Sequence, residues 1–307
     1  MMDDGPAVAA AEGAPAARQP DDHQPDGHHV GRGIEAGIRL DFRDEMSYGD
    51  YLHLDELLGA QHPKSRPEAH DELLFIIQHQ TSELWLKLLL HELDGARQGL
   101  RVDDVGLALK RLARVKGILR TLTDQWTILA TLTPSEYLSF RHSLASASGF
   151  QSHQYRAVEF ILGNKNAGML QMFEKNPTVH AQLTELLDSP TLYDEFLTYL
   201  ARQGRPVPAA VLERDVTQAH RFTPELIDTF KIIYDSPAEH WSEYETCEAL
   251  VDIEDAFQFW RFRHVKTVER MIGKKTGTGG SSGAAFLRKA LEQTFFPELY
   301  SVRTALD

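Results

Sequence analysis

The chain has 307 residues, 42% of them hydrophobic and 25% charged, the balance of an ordinary globular protein. Its 45 acids outweigh its 32 lysines and arginines to a net charge of −13, which argues against nucleic acid as a partner, because such binders carry a basic face. A single cysteine, Cys247, excludes an intrachain disulfide and any cysteine-rich metal site and makes a reducing, cytoplasmic compartment the expectation; with 14 histidines present, holding a metal or a cofactor iron falls to histidine.

The first 36 residues carry seven acids against two arginines and no aromatic ring. Such a segment cannot bury enough apolar surface to offset its ordering entropy. Residues 1–40 are therefore expected to be a disordered tail, and residues 41–307 one folded domain. The tail lacks the basic start and uninterrupted apolar stretch of a signal peptide, and its His23, His28 and His29 read as solvated. No run of about eighteen apolar residues occurs, so no membrane span is expected.

From about residue 70 the pattern predicts helices almost throughout. They run from Asp71 to about Arg97 and from Asp104 to Ala130, and Thr133-Pro134-Ser135-Glu136 has the form of a capping box opening another. Further helices are expected over 151–162, 190–203, from Thr223-Pro224 to about Tyr234, from Ser236-Pro237 to about Ile272 as the longest, and over 285–293. No alternating strand pattern and no internal repeat is present. The fold class expected is all-α, a single helical domain.

Leu73-Leu74-Phe75-Ile76-Ile77 puts five large apolar residues in a row, which predicts a helix enclosed on all sides. His79 follows on a stripe with Phe75, Ser82, Leu86 and Leu90. It reads either as a core histidine bonded to a backbone carbonyl or Ser82, or as a polar group aimed into an apolar pocket. His264 sits on the stripe Ile253, Phe257, Trp260, His264, Val268, Met271, with nothing anionic beside it. The zinc and di-iron spacings are missing there. One histidine in an apolar face suits axial ligation of haem iron, while a satisfied core histidine remains the default on spacing alone. Arg261, Arg263, Lys266, Arg270, Lys274 and Lys275 form a basic cluster, read as helix C-terminal cations or as partners for an anion.

Tyr137 and Arg141 share a helix face, a pairing suited to a carboxylate and equally found on an ordinary surface. Gly149-Phe150 interrupts the chain before Gln151 and leaves backbone groups free to approach a ligand. Gly277 to Gly283 has four glycines in seven residues. It reads as a flexible linker or as a lid in which Thr278 closes onto a substrate.

Six strings in register carry a resemblance. They are Phe75-Ile76-Ile77-Gln78-His79-Gln80-Thr81-Ser82-Glu83-Leu84-Trp85-Leu86-Lys87, Thr133-Pro134-Ser135-Glu136-Tyr137 with Phe140-Arg141, Ser148-Gly149-Phe150-Gln151-Ser152, Trp260-Arg261-Phe262-Arg263-His264, Gly277 to Gly283, and Phe295-Phe296-Pro297-Glu298-Leu299. Together they resemble the haem-dependent tryptophan 2,3-dioxygenase family, in its compact bacterial form, over roughly residues 42–303. The resemblance implies an all-α oxidoreductase that encloses haem b, whose ferrous iron binds O2. It would insert O2 across the indole C2–C3 bond of L-tryptophan, giving N-formyl-L-kynurenine at the first step of the kynurenine pathway.

By the same resemblance His264 is the axial iron ligand, Ser148 and Gly149 lie against the cofactor, and His79 meets the indole N–H. Phe75 walls the indole, Tyr137 and Arg141 meet the carboxylate, and Thr278 lies near the ammonium. The family's homotetramer implies that Tyr48, Tyr51 and Leu52 reach a neighbouring subunit's site. The alternative is a non-catalytic haem sensor or carrier on the same scaffold, which has no reason to keep Tyr137, Arg141 and Thr278.

Overall fold

The computed structural model describes residues 34–41 and 45–306. Most of the expected tail, residues 1–33, lies outside the described residues. The chain divides after Gly59 into two units. The first holds α1 (Tyr48–Leu52) and α2 (Leu54–Leu58), separated by His53 in the left-handed region at φ 51°. The Ser47 hydroxyl accepts from the Asp50 amide at 3.1 Å and the Asp50 carboxylate accepts from the Ser47 amide at 3.0 Å, a capping box that starts α1. Neither short helix buries a residue.

The second unit begins at Ala60. It contains α3 (His70–Arg101), α4 (Val105–Leu129), α5 (Pro134–Arg141), α6 (His153–Leu162), α7 (Pro177–Asp188) and α8 (Leu192–Arg202). Then follow α9 (Ala209–Leu212), α10 (Glu225–Asp235), α11 (Trp241–Ile272), α12 (Ala284–Lys289) and α13 (Pro297–Ala305). No strand occurs among the described residues, so the all-α class holds.

Helices α3 and α4 form a hairpin. The Asp104 carboxylate accepts from the Leu107 amide at 2.9 Å and starts α4. The two backbones cross so closely that a Cβ at Gly99 would lie 2.9 Å from the Ala108 amide nitrogen, which restricts that position to glycine. Helix α11 packs along α4. The main core gathers Leu93, Leu112, Leu119, Phe196, Phe230 and Phe257 from α3, α4, α8, α10 and α11, all fully buried. Each such side chain contributes about 1.5–3 kcal/mol. A second cluster of Trp126, Leu129, Leu132, Tyr137, Phe140 and Met271 forms where α5 meets the start of α3 and the ends of α4 and α11.

Several expected boundaries move, each for a local reason. Helix α8 starts at Leu192 rather than Pro190, because the Thr191 hydroxyl takes the cap position and accepts from the Asp194 amide at 3.1 Å. Residues 236–240 close two i→i+3 turns and only then enter α11, which therefore begins at Trp241. Helices α3 and α11 are equally long at 32 residues. The sequence reading passed over α7 and α13, although Pro177 and Pro297 stand in the first turn of each, the usual mark of a helix start. The enclosed helix expected at Leu73–Ile77 is also corrected. Leu73 and Ile77 are each 43% exposed and continue into exposed Leu84 and Leu88, because α4, α5, α6 and α8 cover only the other side of α3.

Lys165 shows how the loops are held. The residue is only 7% exposed, and its ammonium donates to the carbonyl oxygens of Leu186, Leu187 and Ser189 at 2.7, 2.9 and 2.6 Å, capping the end of α7. Lys165→Met leaves those acceptors unpaired, so urea unfolding is expected to report a loss of about 3 kcal/mol. An unchanged midpoint would show the carbonyls to be satisfied otherwise.

Candidate active site

The second aromatic cluster carries both singled-out histidines. His79 projects from the first half of α3, with its Nδ1 2.7 Å from the Phe75 carbonyl oxygen. A carbonyl only accepts, so Nδ1 carries the proton and Nε2 keeps a lone pair. The expected carbonyl bond is therefore present, and it fixes the tautomer while leaving the second nitrogen free. Ser82 takes no part, since its hydroxyl donates to Gln78 O at 2.8 Å and to Gln125 Oε1 at 3.1 Å. Burial holds the His79 pKa below the ordinary imidazole value, against the opposing pull of the Phe75 bond and the Glu83 charge.

His264 lies on α11 with its ring stacked on Trp126, centroids 4.7 Å apart at 13°, and 5.5 Å from Trp260. Burial pushes its pKa down to about 4, with His79 close enough to add to the effect. Both imidazoles are thus neutral near pH 7 and within electrostatic reach of one another. His264 makes no hydrogen bond among the described residues, and the Trp126 Nε1 beside it is buried without an acceptor.

That donor set decides what the site can hold. No group of three or more histidine, cysteine or carboxylate side chains could hold a metal ion among the described residues. A metal ligated by protein alone does not fit. An iron carried by a macrocycle needs only one neutral imidazole in an apolar wall, which His264 supplies.

Phe75 bridges the histidine to the polar end of the site. Its ring centroid stands 4.2 Å from His79, 5.9 Å from Tyr137 and 5.5 Å from Phe140. The helix presenting Tyr137 and Arg141 starts as the sequence predicts, with the Thr133 hydroxyl accepting from the Glu136 amide at 3.4 Å and the Glu136 carboxylate from the Thr133 amide at 2.7 Å. Burial raises the Tyr137 phenol pKa, with the adjacent Arg141 guanidinium pulling the other way. Arg141 Nη2 donates to the Thr276 carbonyl at 2.6 Å, while its Nε is buried with no partner.

The glycine-rich segment folds onto residues 147 and 148. The Thr278 hydroxyl donates to the Ala147 carbonyl at 2.7 Å. A Cβ at Gly279 would lie 2.9 Å from Ser148 Cβ, so the close approach requires glycine. Ser148 caps the turn Gly149–Gln151, its hydroxyl accepting from the Phe150 amide at 3.3 Å. The position a Gly149 side chain would take meets only open space.

The structure thus brings together Phe75, His79, Tyr137, Arg141 and His264, and draws Thr278 to Ala147 beside Ser148. Tyr48 and Tyr51 lie exposed on α1 in the first unit, and Leu52 at 38% exposure ends that helix. The basic cluster is narrower than the sequence suggested. Arg261 is buried and bound to Glu159 at 3.0 Å, and Lys266 pairs with Glu269 at 3.3 Å. Sequence reasoning missed Trp126, the Thr276 and Ala147 carbonyls, and the Gln78–Gln125–Ser82 bonds. A tryptophan on a buried helix reads as core, and a carbonyl role leaves no trace in residue type. Two open clefts, of about 510 Å³ around Phe150, His153 and Phe173 and about 490 Å³ around Arg66, His70 and His142, are not lined by His79, Arg141 or His264.

Comparison with known proteins shows the family. The family model described as tryptophan 2,3-dioxygenase matches residues 33–231 and 229–306. The chain is similar to proteins named tryptophan 2,3-dioxygenase in several bacteria. It is 66% identical to that of Kineococcus radiotolerans over 90% of this chain and 96% of the relative. Identity is 62% with that of an Arthrobacter species over 90% and 97%, and 61% with that of Saccharopolyspora erythraea over 91% and 99%.

The Gly279–Ser148 contact can be tested without reference to activity. Gly279→Ala is expected to cost the closed segment about 1–3 kcal/mol. Trypsin should then cut faster at Lys274 or Lys275, and adding Ser148→Gly should slow it again. An unchanged cleavage rate would remove the contact from the account.

Proposed function

The chain belongs to the tryptophan 2,3-dioxygenase family, and from that premise we propose how its residues divide the work. The protein is an oxidoreductase that acts on L-tryptophan and O2 and yields N-formyl-L-kynurenine. The group assigned to the site is haem b, which His264, stacked on Trp126 and beside Trp260, would hold, with Ser148 and Gly149 as further cofactor contacts. When bound, haem supplies the iron chemistry that activates O2.

The chain's own residues bind and orient the amino acid. His79 accepts the indole N–H at Nε2, the nitrogen that its bond to Phe75 leaves free. That role requires the neutral ring which burial favours. The Phe75 ring forms a wall of the indole pocket. Arg141 offers its unpartnered Nε and remaining N–H groups to the substrate carboxylate, with the Tyr137 phenol alongside. Thr278, donating to Ala147, keeps its oxygen lone pairs for the substrate ammonium. Fixing both ends of the substrate brings C2 and C3 of the indole to a single place, the entropic part of the acceleration. The observation that carries this reading is the pair of imidazoles in one aromatic cluster, each with an uncommitted nitrogen.

The assembly assigned is a homotetramer in which Tyr48, Tyr51 and Leu52 of one subunit close over a neighbour's site. The exposed α3 stripe of Leu73, Ile77, Leu84 and Leu88 supports burial against another copy. Residues 41–307 are taken as the catalytic domain and residues 1–40 as a tail. Cytoplasmic placement rests on the buried, unpaired Cys247. No helix among the described residues is long and apolar enough to cross a membrane. A haem sensor or carrier without turnover is not favoured, because the Arg141 and Thr278 arrangement would serve no purpose there.

Anaerobic reduction followed by L-tryptophan and air should produce N-formylkynurenine absorbance, and its absence would overturn the reading. His264→Ala is expected to lose the Soret band after haem-supplemented expression; full haem occupancy with an unaltered spectrum would reject the ligand. Arg141→Ala should weaken tryptophan binding by about 1.5–3 kcal/mol, the worth of a charged hydrogen bond. Tryptamine, which lacks the carboxylate, should lose almost nothing. Equal losses for both would refute the carboxylate role.

A further inference from the structure

Glu83 follows His79 by one helical turn, so the two share a face of α3. Its carboxylate is not left to wander. Gln154 Nε2, from the first turn of α6, donates to Glu83 Oε2 at 2.8 Å and to the Glu83 carbonyl oxygen at 2.8 Å. Gln154 is in turn placed by Ser152, whose hydroxyl accepts from the Tyr155 amide at 3.1 Å and starts α6. The clamp therefore joins two segments that each carry site residues: the helix of His79, and the stretch that begins with Ala147 and Ser148.

We propose that Glu83, held by Gln154, is a positioning residue for the reaction, its carboxylate strengthening the hydrogen bond that His79 accepts from the indole N–H. An imidazole that donates through Nδ1 and accepts through Nε2 gathers partial positive charge as the second bond forms. A fixed negative charge on the same helix face stabilises that charge and makes Nε2 the better acceptor.

The surroundings of His79 leave this task to Glu83. Phe75 stands against the ring and separates it from the Tyr137 phenol of α5, α11 contributes His264 within electrostatic reach, and the side chain that faces Glu83 from α6 is the neutral Gln154. Glu83 is the carboxylate that acts on the ring, and it raises the His79 pKa against the effect of burial. Clamping matters because an exposed glutamate free to swing into water would be screened.

The inference rests on His79 meeting the indole N–H, and the test separates the two. Equilibrium binding to the holoenzyme is measured for tryptophan and for its benzofuran analogue, in which oxygen replaces the N–H. Wild type should prefer tryptophan. Glu83→Gln should lower that preference about three- to tenfold, with affinity for the benzofuran unchanged. Gln154→Met, which leaves the charge but frees it, should lower the preference by less, and it carries the test if Glu83→Gln fails to fold. An unchanged preference in the variants, or equal loss of both ligands, overturns the role of Glu83. If wild type itself shows no preference, the assignment of His79 falls first and this one with it.

Discussion

Setting two imidazoles in one aromatic cluster, with neither hydrogen-bonded to a carboxylate, is the constraint on which the site depends. A neutral ring nitrogen is a ligand and an acceptor, whereas a protonated one is neither. The fold keeps its buried acids occupied elsewhere. Glu159 is bound by Arg156 and Arg261, and Glu298 by Tyr193, His220 and the Thr223 amide. Glu254 accepts the Phe295 and Phe296 amides at 3.0 and 2.9 Å, although burial still pushes its pKa up to about 7. The aromatic cluster around Trp126 and Trp260 is left to a low-polarity interior.

The polar half of the site is built differently, from loops tied by single bonds. Arg141 reaches the Thr276 carbonyl, Thr278 reaches the Ala147 carbonyl, and Gly279 lets the backbone lie against Ser148. Each bond spans more than a hundred residues of sequence, and each uses one partner that is a backbone atom. A helical wall therefore faces a rim of loop backbone, the part of a fold that tolerates adjustment.

How much of this the sequence revealed follows from which signals are local. The Thr133–Glu136 box, the Asp104 start and the α11 stripe are patterns within a few residues, and all three stand in the structure. His79 and His264 stand out as lone histidines on apolar stripes, but that pattern also fits a satisfied core histidine, and only the resemblance gives them roles. Trp126 does not stand out, since a tryptophan there looks like any core residue until its ring is seen flat against His264. Arg261 misled for the opposite reason. Its charge groups it with the basic cluster, read as helix C-terminal cations or partners for an anion, but Glu159, about a hundred residues earlier, draws it inside. Leu73 and Ile77 misled because hydrophobicity cannot say whether the cover comes from the same chain.

That uncovered stripe has a consequence for how the protein behaves as a population. The helix that shows Leu73, Ile77, Leu84 and Leu88 to solvent carries His79 on its inner side. Any surface that settles on the stripe also stiffens the backbone that sets the His79 carbonyl bond. Were copies to associate there, as proposed, helix order would be linked to protein concentration by mass action. Dilution would then act as a denaturant directed at one helix, loosening α3 before the core of Leu93, Leu112 and Phe257 begins to open.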